Sequence, residues 1–147
     1  KDRETMRALL MGGLAEARRH ASGPAVVMGY CFGGAAALEM ARSGQAEDIS
    51  GYASFHGGLS TPEGQSYPDD TPPLLIAHGG ADTAITMDDV ATLSKELESK
   101  GLSYEIEVYS GAPHAFTVFG SERYREVADT QSWDAFQDFL NSTLTGS

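Results

Sequence analysis

Apolar and polar positions along the chain switch repeatedly between two periods. Met6, Leu10, Leu14 and Ala17 recur at spacings of three and four within residues 2–19, with Arg and Glu between them, which predicts an amphipathic helix. Gly12 and Gly13 weaken it, each costing a helix about 1 kcal/mol relative to Ala, and Ser22-Gly23-Pro24 ends it. Residues 25–30 (AVVMGY) are short, apolar throughout and β-branched, the signature of a strand covered on both faces. A helix over 33–42, closed by Ser43 and Gly44, is followed by strands over 49–56 and 73–78 that both run into paired glycines. Between those strands, residues 58–73 hold four of the six prolines and read as loop. Thr86 and Asp89 have capping-box spacing at the start of a helix over 86–100, with Val90, Leu93 and Leu97 on one face and Lys100-Gly101 at its end. Residues 104–110 (YEIEVYS) alternate apolar and charged, as a half-exposed strand near a sheet edge should. A final helix is predicted over 121–140, with Trp133, Phe136 and Leu140 on its buried stripe. Strands alternating with helices predict an α/β fold with a parallel sheet and helices on both faces, in a single domain over 1–147.

Composition narrows the partners. A formal charge of −11, from 10 basic and 21 acidic residues, argues against nucleic acid or an anionic membrane, because phosphates demand clustered Lys and Arg. No apolar run approaches the roughly 20 residues that span a bilayer. The one cysteine, Cys31, excludes an intrachain disulfide and suits a reducing compartment, so a cytoplasmic location is expected. The chain opens on Lys1 rather than Met, which raises the expectation of a preceding segment.

Cys31 lies in Gly29-Tyr30-Cys31-Phe32-Gly33, after a predicted strand and before a predicted helix. That is the form G-x-C-x-G, the thiol version of a nucleophile elbow. Such a turn exposes its central side chain by straining the backbone and aims the amide of the next residue, Phe32, at a developing oxyanion. A buried structural cysteine is the alternative; the flanking glycines and the strand-turn-helix setting favour the nucleophile. A thiol near its ordinary pKa of about 8.5 needs a base, and the base needs an orienting acid. His114 falls in the loop after the last predicted strand and Asp82 just after the third, in the chain order nucleophile, acid, histidine. All three would project from the carboxyl ends of parallel strands, where open α/β sheets place their sites.

Together "GYCFGG", "HGGAD" and "PHAF" resemble the dienelactone hydrolase family of α/β-hydrolases, across essentially the whole chain. The resemblance implies Cys31 as nucleophile, His114 as base, Asp82 as the orienting acid, and no metal or organic cofactor. It also implies cleavage of small esters or lactones through a thioester. The family's arginine four residues after the histidine is here Val118, which makes a carboxylesterase a safer expectation than a dienelactone substrate. The family fold begins with strands that precede this chain's first helix and bring a second oxyanion amide. The strand at 25–30 is therefore expected to present an open edge, to be covered by another segment or chain.

Tyr30, His56 and Phe116 are the expected substrate-lining residues. A metal centre of His56, His78 and His114 is not expected, because no Cys or carboxylate stands at zinc-ligand spacing from them. His78 reads as structural and His20 as a surface helix residue. Asp69, Asp70, Asp88 and Asp89 are rival acids in loop and helix-cap positions. Two other functions stay open: hydrolysis of another acyl bond, such as a thioester or amide, and a non-catalytic α/β-hydrolase module with an inert Cys31.

Overall fold

The computed structural model describes residues 2–145. Its elements follow in the order α1 (Arg3–Arg18), β1 (Ala25–Tyr30), α2 (Phe32–Ser43), β2 (Ile49–Phe55), β3 (Leu74–Gly79), α3 (Met87–Ser99), β4 (Tyr104–Tyr109) and α4 (Glu126–Thr145). The four strands form one sheet in sequential order, every pair parallel. β1 pairs with β2 alone, so among the described residues its other edge carries no strand.

Two apolar layers sandwich the sheet. On one face Leu38 and Met40 of α2 and Val90, Leu93 and Leu97 of α3 pack with Tyr52, Leu74 and Ile76, while Leu10, Met11 and Leu14 of α1 close the periphery. On the other, Ala128, Phe136 and Phe139 of α4 pack on Ala53, Phe55, Leu75 and Ala77. Alternate residues of β2 and β3 serve opposite layers, which is why both strands are buried almost throughout. The predicted capping box is present: Thr86 Oγ1 accepts from Asp89 N–H and the Asp89 carboxylate accepts from Thr86 N–H. No helix among the described residues is long and apolar enough to cross a membrane.

Four expectations shift. The last helix starts at Glu126 rather than Ser121, because residues 121–124 form a turn in which Ser121 Oγ accepts from Arg123 N–H and Arg125 N–H donates to Phe116 O. Its buried stripe is Ala128, Ser132, Ala135, Phe136 and Phe139, and Trp133 is 45% exposed at its margin. Ala17 is exposed near the end of α1, and His20 lies two residues beyond the helix, its ring against Glu16.

Candidate active site

Cys31 is the hinge between β1 and α2. Its N–H donates to Phe55 O on β2 at 3.0 Å, completing the ladder, while its C=O accepts from Gly34 and Ala35 as the helix begins. One residue serving both ladders is forced to φ 52° and ψ −119°, sparsely allowed for any side chain. The turn closes because a Cβ on Gly29 would run into Gly33 O and one on Gly34 into Ser54 Oγ. A Cβ on Gly33 would meet nothing within 4 Å, so of the two motif glycines Gly29 alone, together with Gly34 beyond the motif, permits the close approach. Phe32 N–H belongs to the first turn of α2, where amides have no acceptor within the helix.

Three further turns at the carboxyl ends of the strands bring polar groups to this point. His56 directly follows β2 with φ 42°, and its N–H donates to Ala77 O at 2.8 Å. Its ring is fully buried, with Nδ1 3.2 Å from Cys31 Sγ and Nε2 2.9 Å from Thr117 Oγ1. Burial foremost, then the neighbouring His114, lowers its pKa to about 4, so it is neutral near pH 7. Asp82 lies in the turn after β3, where Oδ1 accepts from Ala84 N–H at 2.8 Å and Ile85 N–H at 2.9 Å. Oδ2 stands 2.9 Å from His114 Nδ1. Burial works to raise the Asp82 pKa, but the Ile85 amide, the His114 bond and the Ala84 amide outweigh it and hold the carboxylate charged below its ordinary range.

His114 sits in the loop between β4 and α4, followed by Ala115 at φ 61°. With Nδ1 on Asp82, its Nε2 is the nitrogen left to act. Burial pushes the Cys31 thiol pKa up, opposed by the Arg123 guanidinium and reinforced by Asp82. The hydrogen-bond partner of the thiol is thus His56, while one ligating atom each of Cys31, His56 and His114 lie within 4.8 Å of one another.

The other expected residues sort by exposure. Tyr30 is partly exposed, stacked on Phe55 with centroids 4.7 Å apart, and Phe32 projects outward at 65% exposure. Phe116 and His56 are fully buried, with Phe116 edge-on to His56 and the ring centroids 5.0 Å apart. His78 is buried with both ring nitrogens unpartnered. Of the rival carboxylates, Asp89 caps α3 and Asp69 pairs with Lys100 at 3.5 Å. Sequence reasoning missed Thr117 and Arg123; their only signal was membership of the loop that carries His114. A surface cavity of about 590 Å³ lies between Val108–Gly111 and the start of α4 and includes none of these residues, so chemistry rather than concavity locates the site.

A parallel sheet in sequential order, with a thiol on a strained strand-to-helix turn and a histidine–carboxylate pair beside it, defines an α/β-hydrolase fold. The chain belongs to the dienelactone hydrolase family, whose sequence model matches residues 7–144. It is 30% identical over 132 residues to a protein of Bradyrhizobium sp named probable 2-oxo-3-(5-oxofuran-2-ylidene)propanoate lactonase, covering 82% of this chain and 51% of that one. A putative dienelactone hydrolase of Klebsiella pneumoniae superposes with TM-score 0.79 at 24% identity, over 91% of this chain and 59% of that one. For the protein named m3DLH the TM-score is 0.81 and the identity 27%, over 97% of this chain and 63% of that one. The chain spans about half the length of the Bradyrhizobium relative, or less of a Salmonella typhimurium protein named putative carboxymethylenebutenolidase.

Proposed function

We propose that this chain carries the nucleophile, base and acid of a thiol-dependent hydrolase of small esters or lactones, with Cys31, His114 and Asp82 in those roles. The observation that carries the reading is the Cys31 turn, held at φ 52° within 4.8 Å of a histidine whose other nitrogen is pinned by a buried carboxylate. The lactonase name of the Bradyrhizobium relative supports the substrate class.

Acylation starts with the thiol proton passing to His114 Nε2, and Sγ attacks the carbonyl carbon. The Phe32 amide stabilises the oxyanion, and the proton on His114 goes to the leaving alkoxide. Water, deprotonated by the same nitrogen, then attacks the thioester and regenerates the thiol. Asp82 keeps the proton of His114 on Nδ1 and stabilises the imidazolium that forms. No metal or organic cofactor enters these steps. A strand from another segment or chain pairs with the free edge of β1 and supplies the second oxyanion amide. A lone free thiol suits the reducing cytoplasm.

Incubation with an activated ester, such as a p-nitrophenyl acyl ester, followed by intact-mass and peptide mass spectrometry tests the reading. One acyl group on Cys31 is expected, with no adduct and no turnover in Cys31→Ala. Turnover retained in Cys31→Ala moves the chemistry elsewhere; a folded protein with neither adduct nor turnover points to the non-catalytic module.

A further inference from the structure

We propose that Cys31, His56 and His114 form a three-ligand site for a thiophilic divalent cation, with Zn²⁺ the type case, and that the bound ion switches the hydrolase off by occupying its thiol. Binding stands on geometry alone; the switching-off rests on the function proposed above.

Zinc in protein sites takes tetrahedral sulfur and nitrogen ligands at about 2.3 Å and 2.0–2.1 Å, which sets neighbouring ligand atoms roughly 3.3–3.6 Å apart. Cys31 Sγ and His56 Nδ1 are 3.2 Å apart, and all three ligand atoms lie within 4.8 Å of one another. Closing that triangle on an ion takes side-chain adjustments of about 1 Å, within the range of χ rotation. What distinguishes the cluster from a chance meeting of side chains is its outer shell. Metal-binding histidines characteristically commit their second nitrogen to a carboxylate or another polar partner, which fixes ring orientation. Here His114 commits Nδ1 to Asp82, itself pinned by two amides, and His56 commits Nε2 to Thr117 Oγ1. That leaves His56 Nδ1, 3.2 Å from the sulfur, and His114 Nε2 as the nitrogens free to ligate.

The backbone adds rigidity. Cys31 and His56 both have positive φ, as does Ala115 next to His114, so each ligand hangs from a turn with little freedom to move away. Cys31 and His114 retain partial exposure, leaving the fourth position open to water. Among the described residues Asp82 contributes the carboxylate in contact with a ligand, and the Arg123 guanidinium is a cationic group that opposes the ion at the thiol. The thiol S–H bond breaks, an S–Zn bond forms, and the proton leaves to solvent; a chelator reverses the exchange. Sequence spacing hides this site, because its third ligand is the elbow cysteine and not His78.

The test uses Zn²⁺ and Co²⁺ with the unaltered protein. One Zn²⁺ per chain is expected by competition with a chromophoric chelator, and Co²⁺ should give a near-ultraviolet thiolate-to-metal absorption. Cys31→Ala, His56→Ala and His114→Ala should each weaken Zn²⁺ at least about 100-fold, and Thr117→Val about 10-fold or more, as outer-shell losses do; His20→Ala should leave it unchanged. His56→Gln stands in for His56→Ala where the latter fails to fold by circular dichroism. Absence of the thiolate absorption, or wild-type Zn²⁺ affinity in a folded His56 variant, overturns the site. Bound Zn²⁺ should also prevent acylation of Cys31, with recovery on chelation; acylation that proceeds at full rate in the saturated protein overturns the switch. A protein that binds the ion through all three residues yet forms no acyl adduct when metal-free keeps this site and loses the hydrolase reading instead.

Discussion

His56 directly follows β2 with a fully buried ring whose hydrogen-bond partners, Cys31 and Thr117, carry no carboxylate. Unfolded, it takes a proton near its ordinary 6.5; folded, burial and His114 delay that to about 4. Between these values the unfolded chain binds more protons than the folded one, so stability is full above pH 6.5, falls as pH drops through the window, and stays reduced below about 4. At about 1.4 kcal/mol per pKa unit the loss is of order 3 kcal/mol. Urea denaturation at a series of pH values should show His56→Gln flattening this arm of the curve relative to wild type. An identical pH slope in the variant assigns the acid sensitivity to other groups. Sequence alone marks His56 as a strand-end histidine expected to line the substrate cleft, with no sign of its contact with the thiol. Its contact with the thiol depends on β1 and β2 pairing in register, with Tyr30 opposite Phe55, so that the residues following both strands emerge side by side.

At the scale of elements, the β1–α2 turn separates two glycines that look alike in sequence. Gly29→Ala drives a methyl into the Gly33 carbonyl, backbone against backbone, with no side chain to yield. Thermal or urea denaturation should show a loss of about 3 kcal/mol or more, at or beyond the upper end of the range for overpacking. Gly33→Ala places its methyl in open space inside a helix and should gain about 0.5–1 kcal/mol. Equal effects at both positions would contradict the turn geometry. Most elements were legible: β1, α2, β2, β3, α3 and β4 appear within a residue or two of where periodicity and breakers put them. α4 was not, because its start is set by tertiary contacts: the segment after His114 folds back so that Arg125 N–H reaches Phe116 O, and 121–124 stay in a turn.

At the scale of the whole molecule, the least legible feature is a buried ionic network. Glu39 and Arg42 are three residues apart on α2, a spacing that usually marks a solvated pair. Instead Glu39 is fully buried and Arg42 nearly so, 2.9 Å apart, because α1 and the loop over 60–72 close over them. Gln65 donates to Glu39 at 2.9 Å, Arg7 of α1 approaches it at 3.5 Å, and Arg42 donates to Tyr67 Oη at 3.0 Å. Burial would raise the Glu39 pKa, but the Gln65 and Arg42 hydrogen bonds and the charges of Arg42 and Arg7 hold it below its ordinary range. Glu39→Ala leaves Arg42 buried without its carboxylate and should cost about 3–5 kcal/mol by urea denaturation. A loss under 1 kcal/mol would mean that water reaches Arg42 in the variant.

Sequence by itself determined the parallel α/β order, the strained cysteine turn and the positions of Asp82 and His114, because each is written in local terms: periodicity, breakers, and glycines at a strand-to-helix junction. Tertiary structure decided which groups meet the thiol. His56 and Arg123 act on Cys31, and Thr117 on His56, from 25 to 92 residues beyond Cys31 along the chain, and no local pattern encodes that distance. The physical reason is the sheet: parallel pairing brings every carboxyl-terminal turn to one end, and burial there, rather than residue type, fixes which nitrogen faces the sulfur and which charges remain.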